Sequence, residues 1–243
     1  MRAVLLLSLL VASCLAAPLR EKPRYIFGHG GNARDFPTNT IPAFLSTIDL
    51  GGDINEMDVH PTEDGHIVVI HDSTVDRTTN GTGYVANMTL ADIKSLDAGY
   101  WFTNDGGETY PFRGTGITVP TLEELFEAVP GGLFNIDIKQ HTERAARLVA
   151  ETILRAGGES RCIVGSFNDE TTEIFKEYAP GVTTLSSTRE VVEYTLKYYQ
   201  GEGDTHVPRS LWMEIPTGFV RDWVRSALLM RTRTNFDMLA RVH

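Results

Sequence analysis

The sequence predicts an α/β fold of the TIM (β/α)8-barrel type, on three observations. Short apolar runs of strand length alternate with helix-like segments, the pattern of a parallel sheet wrapped by helices. Ionisable residues close several of those runs, at His29, at Glu56 and Asp58, at His71, and at Asp137 and Lys139. A barrel builds its catalytic mouth from the C-terminal ends of its strands, so charges there stand where chemistry is gathered. The length of 243 residues also suits one large domain, since such barrels commonly run to about 250.

The elements follow in order. Strand one runs from Tyr25 to His29. A helix from about Asn39 to Leu50 places Ile41, Phe44, Leu45 and Ile48 on one face, and Gly51-Gly52 is its stop. Strand two is Ile54 to Val59, Glu63-Asp64-Gly65 is a tight turn, and strand three is His66 to His71. Residues 73 to about 120 break the rhythm. They hold the turn-rich Asn80-Gly81-Thr82-Gly83, a short helix near Leu90 to Leu96, and a glycine-rich stretch from Asn104 to Gly116. A long irregular insertion after a strand's C-terminal end often covers a site. Thr121 then caps a helix, and Glu124 completes a capping box. Strand four is Leu133 to Lys139, followed by a helix from Glu143 to Ala156 and strand five from Cys162 to Phe167. A helix from Glu170 to Tyr178, strand six from Val182 to Leu185, a helix from Arg189 to Tyr199 and strand seven from Leu211 to Ile215 complete the alternation. Val220 to His243 is arginine-rich and reads as helix, with no strand after it.

The first 17 residues have a different character. Arg2, the apolar run from Ala3 to Ala12 and the small residues before Pro18 have the layout of a secretory leader, which predicts a secreted or periplasmic protein. Val11-Ala12-Ser13-Cys14 is close to a lipoprotein box, an alternative in which Cys14 carries lipid. The apolar stretch is shorter than the roughly 20 residues of a membrane span, and no later segment qualifies. Cys162 is then left alone in a strand, where it reads as a small buried hydrophobe rather than half of a disulfide. A net charge of −10 and the absence of any basic run argue against a nucleic-acid partner. There is no Gly-x-Ser-x-Gly elbow, P-loop or dinucleotide fingerprint.

Side chains two apart on a strand share a face, so Glu56 and Asp58 point together, as do Asp137 and Lys139. On strand four, Phe134, Ile136 and Ile138 would then face the helices while Asp137 and Lys139 face the barrel axis. Any one of these carboxylates could simply pair with Lys139 or Arg24. Three on neighbouring strands would repel one another, and a divalent cation is the simplest remedy. An all-oxygen donor set favours Ca²⁺ or Mg²⁺ over Zn²⁺. His60, His66, His141, His206 and His243 lack such company and read as ordinary surface or turn residues.

As an ordered set, Gly28-His29-Gly30-Gly31, Pro37-Thr38-Asn39-Thr40, Glu56-Met57-Asp58-Val59, His71-Asp72, Arg77-Thr78-Thr79-Asn80-Gly81 and Asn135-Ile136-Asp137-Ile138-Lys139 resemble the glycerophosphodiester phosphodiesterase family. The likeness is clear from about Tyr25 to Gln140 and traceable to Pro216, within a domain expected over 25–243. It implies hydrolysis of glycerophosphodiesters to glycerol 3-phosphate and an alcohol, with one divalent cation; a lysophospholipid is the alternative substrate, which would release the alcohol and leave an acylated glycerol phosphate. His29 and His71 would be the general acid–base pair, Glu56, Asp58 and Asp137 the metal ligands, and Lys139 a phosphate contact. Residues 73–120 would be the family's insertion, walling the glycerol or alcohol end of the substrate.

The sequence departs from the family pattern in four places. Gly30 stands where the family usually has Arg, which removes a bidentate phosphate contact. Thr38 replaces the usual Glu, and Asp137 stands where Glu is commoner, drawing the carboxylate back by roughly 1.5 Å. The family's Trp-Thr-x-Asn and Gly-Ile-x-Thr-Asp segments are not found, so the resemblance implies a barrel missing its C-terminal closing strands and a divergent or truncated end at 217–243. These departures support a second expectation, a catalytically impaired domain that binds lipid headgroups or anions.

Overall fold

A computed structural model describes residues 25–187, together with Glu190, Val191 and Lys197. The leader-like segment 1–17, the expected strand at 211–215 and the arginine-rich segment 220–243 lie outside the described residues, as does most of the helix expected over 189–199. The strands are β1 (Phe27–His29), β2 (Ile54–Pro61), β3 (Ile67–Val69), β4 (Leu133–Ile138), β5 (Cys162–Gly165) and β6 (Thr183–Thr184). The helices are α1 (Ile41–Asp49), α2 (Leu90–Lys94), α3 (Leu122–Ala128), α4 (Glu143–Arg155) and α5 (Asp169–Tyr178).

Strands β1, β2, β4, β5 and β6 pair in that spatial order, each parallel to the next. Order in space therefore follows order in the chain without reversal. A barrel winds this way, whereas a doubly wound sheet turns back at a switch point. Helices α1, α3, α4 and α5 lie on one face of this sheet, while α2 belongs to the insertion. Phe44 of α1, Leu122 and Leu125 of α3, Val149 and Ile153 of α4 and Phe175 of α5 pack in one core with Met57, Val59, Phe134, Ile136, Ile138, Cys162 and Val164. The expected split of β4 is observed: its even-numbered residues meet the helices. The opposite face carries Ile54, Glu56, Asp58, Asn135, Asp137 and Ile163, all buried.

Strand three differs from expectation. β3 is no stave of the barrel but runs antiparallel to β2, with Val59 opposite Val69 and Pro61 opposite Ile67. The cause is the short connection: Gly65, at φ +91°, folds the chain back directly, and Gly65 N–H donates to Thr62 O at 3.2 Å. A parallel return would need a crossover of a dozen residues or more. Ile70 N–H then donates to Asp58 O at 2.9 Å, so the hairpin carries the following His71 back to the level of Asp58.

The insertion after β3 has a small core of its own. Val75, Val85, Ile93, Ala98 and Val119 cluster on Val68 and Ile70, the residues of this arm that point away from the main core. Alternation along β3 thus supplies one apolar face to each core. The capping box expected at α3 is present: Thr121 Oγ1 accepts from Glu124 N–H at 3.0 Å, and Glu124 Oε2 accepts from Thr121 N–H at 2.9 Å. Among the described residues, no helix is long and apolar enough to cross a membrane.

Candidate active site

The parallel register of β1, β2 and β4 brings most of the predicted site residues to one end of the sheet's inner face. His29 lies opposite Glu56, and Asp58 opposite Asp137. Glu56, Asp58 and Asp137 are 1%, 1% and 5% exposed. Charge that deep requires compensation. Lys139 supplies part of it: its Nζ stands 3.0 Å from Asp58 Oδ1 and 2.8 Å from Asp137 Oδ2, bridging the two strands. Burial alone would lower the Lys139 pKa, but Asp137 and Asp58 outweigh it and raise it. Pairing of Asp137 with Lys139, the plain structural reading, is thus what is seen, and Asp58 shares the same ammonium.

Glu56 is held apart from that pair. Its Oε2 accepts from Gly30 N–H at 3.1 Å and lies 3.8 Å from His29 Nε2, too long for a hydrogen bond. Among the described residues, no three His, Cys, Asp or Glu side chains stand close enough together to hold an ion as arranged. The convergence of Glu56, Asp58 and Asp137 on one point, expected from strand periodicity, is therefore only partly met: register pairs two of them, and the third turns to the β1 loop. The donor set nonetheless fits a hard cation. It is all carboxylate oxygen, it is buried, and two of its members already share one cationic centre.

Both predicted histidines line this end, half exposed at 46% for His29 and 47% for His71. His71 Nδ1 lies 2.7 Å from Asp72 Oδ1, and Asp72 receives Arg77 through Nε at 2.6 Å and Nη2 at 2.8 Å. Those Arg77 bonds, with the His71 bond, hold the Asp72 carboxyl at about 2, below its ordinary 3.8. An ionised carboxylate only accepts, so His71 Nδ1 carries the proton in this contact and a neutral ring leaves Nε2 as its acceptor.

Three contributors were not legible as such. His60, which reads as a surface or turn residue in sequence, is buried on the face of Glu56 and Asp58, and its Nε2 donates to His71 O at 3.2 Å. Burial lowers its pKa, favouring the neutral ring that this bond uses. The spacing 56, 58, 60 on one strand was the available signal. Asn39 donates through Nδ2 to Asp58 Oδ2 at 3.0 Å from a left-handed backbone at φ +58°. Phe167, 61% exposed after β5, sets its ring 5.5 Å from Lys139 Nζ.

Comparison with known proteins matches the chain to a family. The profile of the glycerophosphoryl diester phosphodiesterase family matches residues 29–201. The chain belongs to that family. A glycerophosphodiester phosphodiesterase of Caldanaerobacter subterraneus is 42% identical over 161 residues, covering 64% of this chain and 63% of that protein. The chain thus spans somewhat less than two thirds of that relative. Among solved structures, a glycerophosphodiester phosphodiesterase from Agrobacterium tumefaciens is similar with a TM-score of 0.63 at 28% identity, covering 84% of this chain and 83% of that one. The glycerophosphoryl diester phosphodiesterase domain of a Mycobacterium tuberculosis protein is similar with a TM-score of 0.67 at 27% identity, over 73% and 65% of the two chains. These phosphodiesterase neighbours share the TIM-barrel architecture that the strand order here follows.

Within this family framework, Gly30 has a local explanation. Its φ is +63°, and a Cβ there would run into Thr38 Oγ1. Gly30 and Thr38, the two departures nearest His29, therefore occupy one another's space. The loop cannot accept a side chain at 30 while Thr38 keeps its place.

Proposed function

We propose that the protein hydrolyses glycerophosphodiesters to glycerol 3-phosphate and an alcohol. One observation supports this most: Glu56, Asp58, Asp137 and Lys139 line one end of the inner face, with His29 beside Glu56 and His71 carried to the level of Asp58. Glu56, Asp58 and Asp137 would hold a divalent cation, Ca²⁺ or Mg²⁺, which when bound offsets the negative charge that develops on the phosphate. Lys139 would add a second positive contact to a phosphate oxygen. His71 Nε2 takes the proton from the attacking water, because Asp72 keeps Nδ1 protonated. His29 returns a proton to the departing alkoxide. The new P–O bond to water replaces the broken one to the alcohol, and proton count is conserved. Residues 73–120 would wall the alcohol or acyl end of a glycerophosphodiester or lysophospholipid. The leader-like residues 1–17 support export of the protein, testable by fractionation.

The deciding assay is turnover of glycerophosphocholine with and without EDTA, followed by return of Ca²⁺ or Mg²⁺. Cleavage abolished by chelation and restored by the ion is expected, and His29→Ala or His71→Ala should lower kcat by about 10²-fold or more with the fold retained. Absence of cleavage under all these conditions favours the second reading, a lipid-headgroup or anion-binding domain, which the departures at Gly30 and Thr38 from the family pattern support.

A further inference from the structure

We propose that the Lys139 ammonium is the resident counter-ion of the cation site, competing with the divalent ion for the same carboxylates, so that cation binding releases Lys139 toward the phosphate. This rests on the reading of Glu56, Asp58 and Asp137 as cation ligands. The two oxygens nearest the ammonium, Asp58 Oδ1 and Asp137 Oδ2, belong to the only two members of that set that lie directly opposite each other in the sheet. An ion bound by these carboxylates stands about 2.0–2.6 Å from their oxygens, while Nζ stands 2.8 and 3.0 Å from the same groups. Two cations sharing so small a volume repel, and the stronger field of the divalent ion displaces the ammonium.

The displaced side chain has another partner within reach. Lys139 follows β4 at the open end, its stem is flexible, and the ring of Phe167 already lies 5.5 Å from Nζ on the solvent side. A cation near that aromatic face keeps a favourable partner after leaving the carboxylates. Asn39 stays on Asp58 Oδ2, the other oxygen, and so fixes that carboxylate while its cation partner changes. Coupling follows from this geometry. The ion frees Lys139 for an anion, and an anion that holds Lys139 makes way for the ion; linkage requires the two effects to be equal.

Calorimetric titration of MgCl₂ and of CaCl₂ into the full chain and into Lys139→Met, each with and without glycerol 3-phosphate, tests the exchange. The variant is expected to bind the cation at least about fivefold more tightly, and to lose the gain in cation affinity that glycerol 3-phosphate gives the unmodified protein. Equal or weaker cation binding by Lys139→Met overturns the inference while leaving the carboxylate assignment intact. If the unmodified protein binds neither cation, the carboxylate reading itself falls and takes this inference with it. Should the variant fail to fold, the ¹⁵Nζ resonance of Lys139 in the unmodified protein serves instead: a shift on adding the cation is expected, and an unmoved signal overturns the exchange.

Discussion

Gly30 and Asp72 show how much of this site depends on single positions. At Gly30 the backbone is left-handed and the space a side chain would enter is filled by the Thr38 hydroxyl. Replacing Gly30 with Ala should therefore destabilise the protein by about 1–3 kcal/mol, read from urea denaturation. Gly30→Arg meets the same left-handed backbone and the same hydroxyl, so restoring the family's arginine should also destabilise the loop unless the Thr38 side chain turns away. A Gly30→Ala protein of unchanged stability would show that the loop adopts another course. Asp72 has a pH signature. Its carboxyl is depressed from 3.8 to about 2 in the folded protein, chiefly by the Arg77 hydrogen bonds. A carboxyl lowered on folding stabilises above its unfolded pKa, and that contribution disappears as pH falls through the folded one. Asp72→Asn should thus flatten the stability loss between about pH 4 and 2 relative to the unmodified protein, measured by urea midpoints across that window.

Among the elements, α3 and β3 offer the clearest contrast between local and non-local causes. The start of α3 is fixed by the reciprocal Thr121–Glu124 bonds, which any four-residue window of sequence reveals. Thr121→Ala should cost about 1 kcal/mol in denaturant stability, within the range of lost N-caps. A negligible change would mean that packing of Leu122 and Leu125 holds the helix without its cap. For β3, composition indicates a strand but not its direction. The tight turn at Gly65 makes it the antiparallel partner of β2, and that reversal delivers His71 to the acidic cluster. The same alternation gives Ile67 and Val69 to the main core and Val68 and Ile70 to the insertion.

Two apolar cores of unequal size meet across β3, and the Lys94–Glu124 ion pair and the Glu63 N–H to Met88 O hydrogen bond further tie the insertion to the barrel. The insertion's cluster is small and its loops are exposed, whereas β2 and β4 sit under the helix layer. Ile93 is buried at the heart of the smaller cluster, and Ile93→Ala should cost about 2–5 kcal/mol locally. Amide hydrogen exchange across 73–120 should accelerate sharply in that variant, with the amides of 133–138 little changed. Uniform acceleration of both regions would show that the insertion and barrel unfold as one unit.

Strands, helices, the α3 cap and the identity of the titratable residues were readable from the chain itself, because each rests on periodicity or on bonds within a few residues. The family motifs added the expected roles of His29, His71, Glu56, Asp58 and Asp137. Spatial contacts among distant segments could not be read in this way. Pairing of Asp58 with Asp137 follows from strand register across some eighty residues, and Lys139 bridges them only because that register holds. His60 beneath His71, Asn39 on Asp58 and Thr38 against Gly30 likewise depend on loops returning to the same place. Hydrophobic pattern says which face of a strand is buried; only the packed chain settles which charges then meet, since burial forces each of them to find a partner.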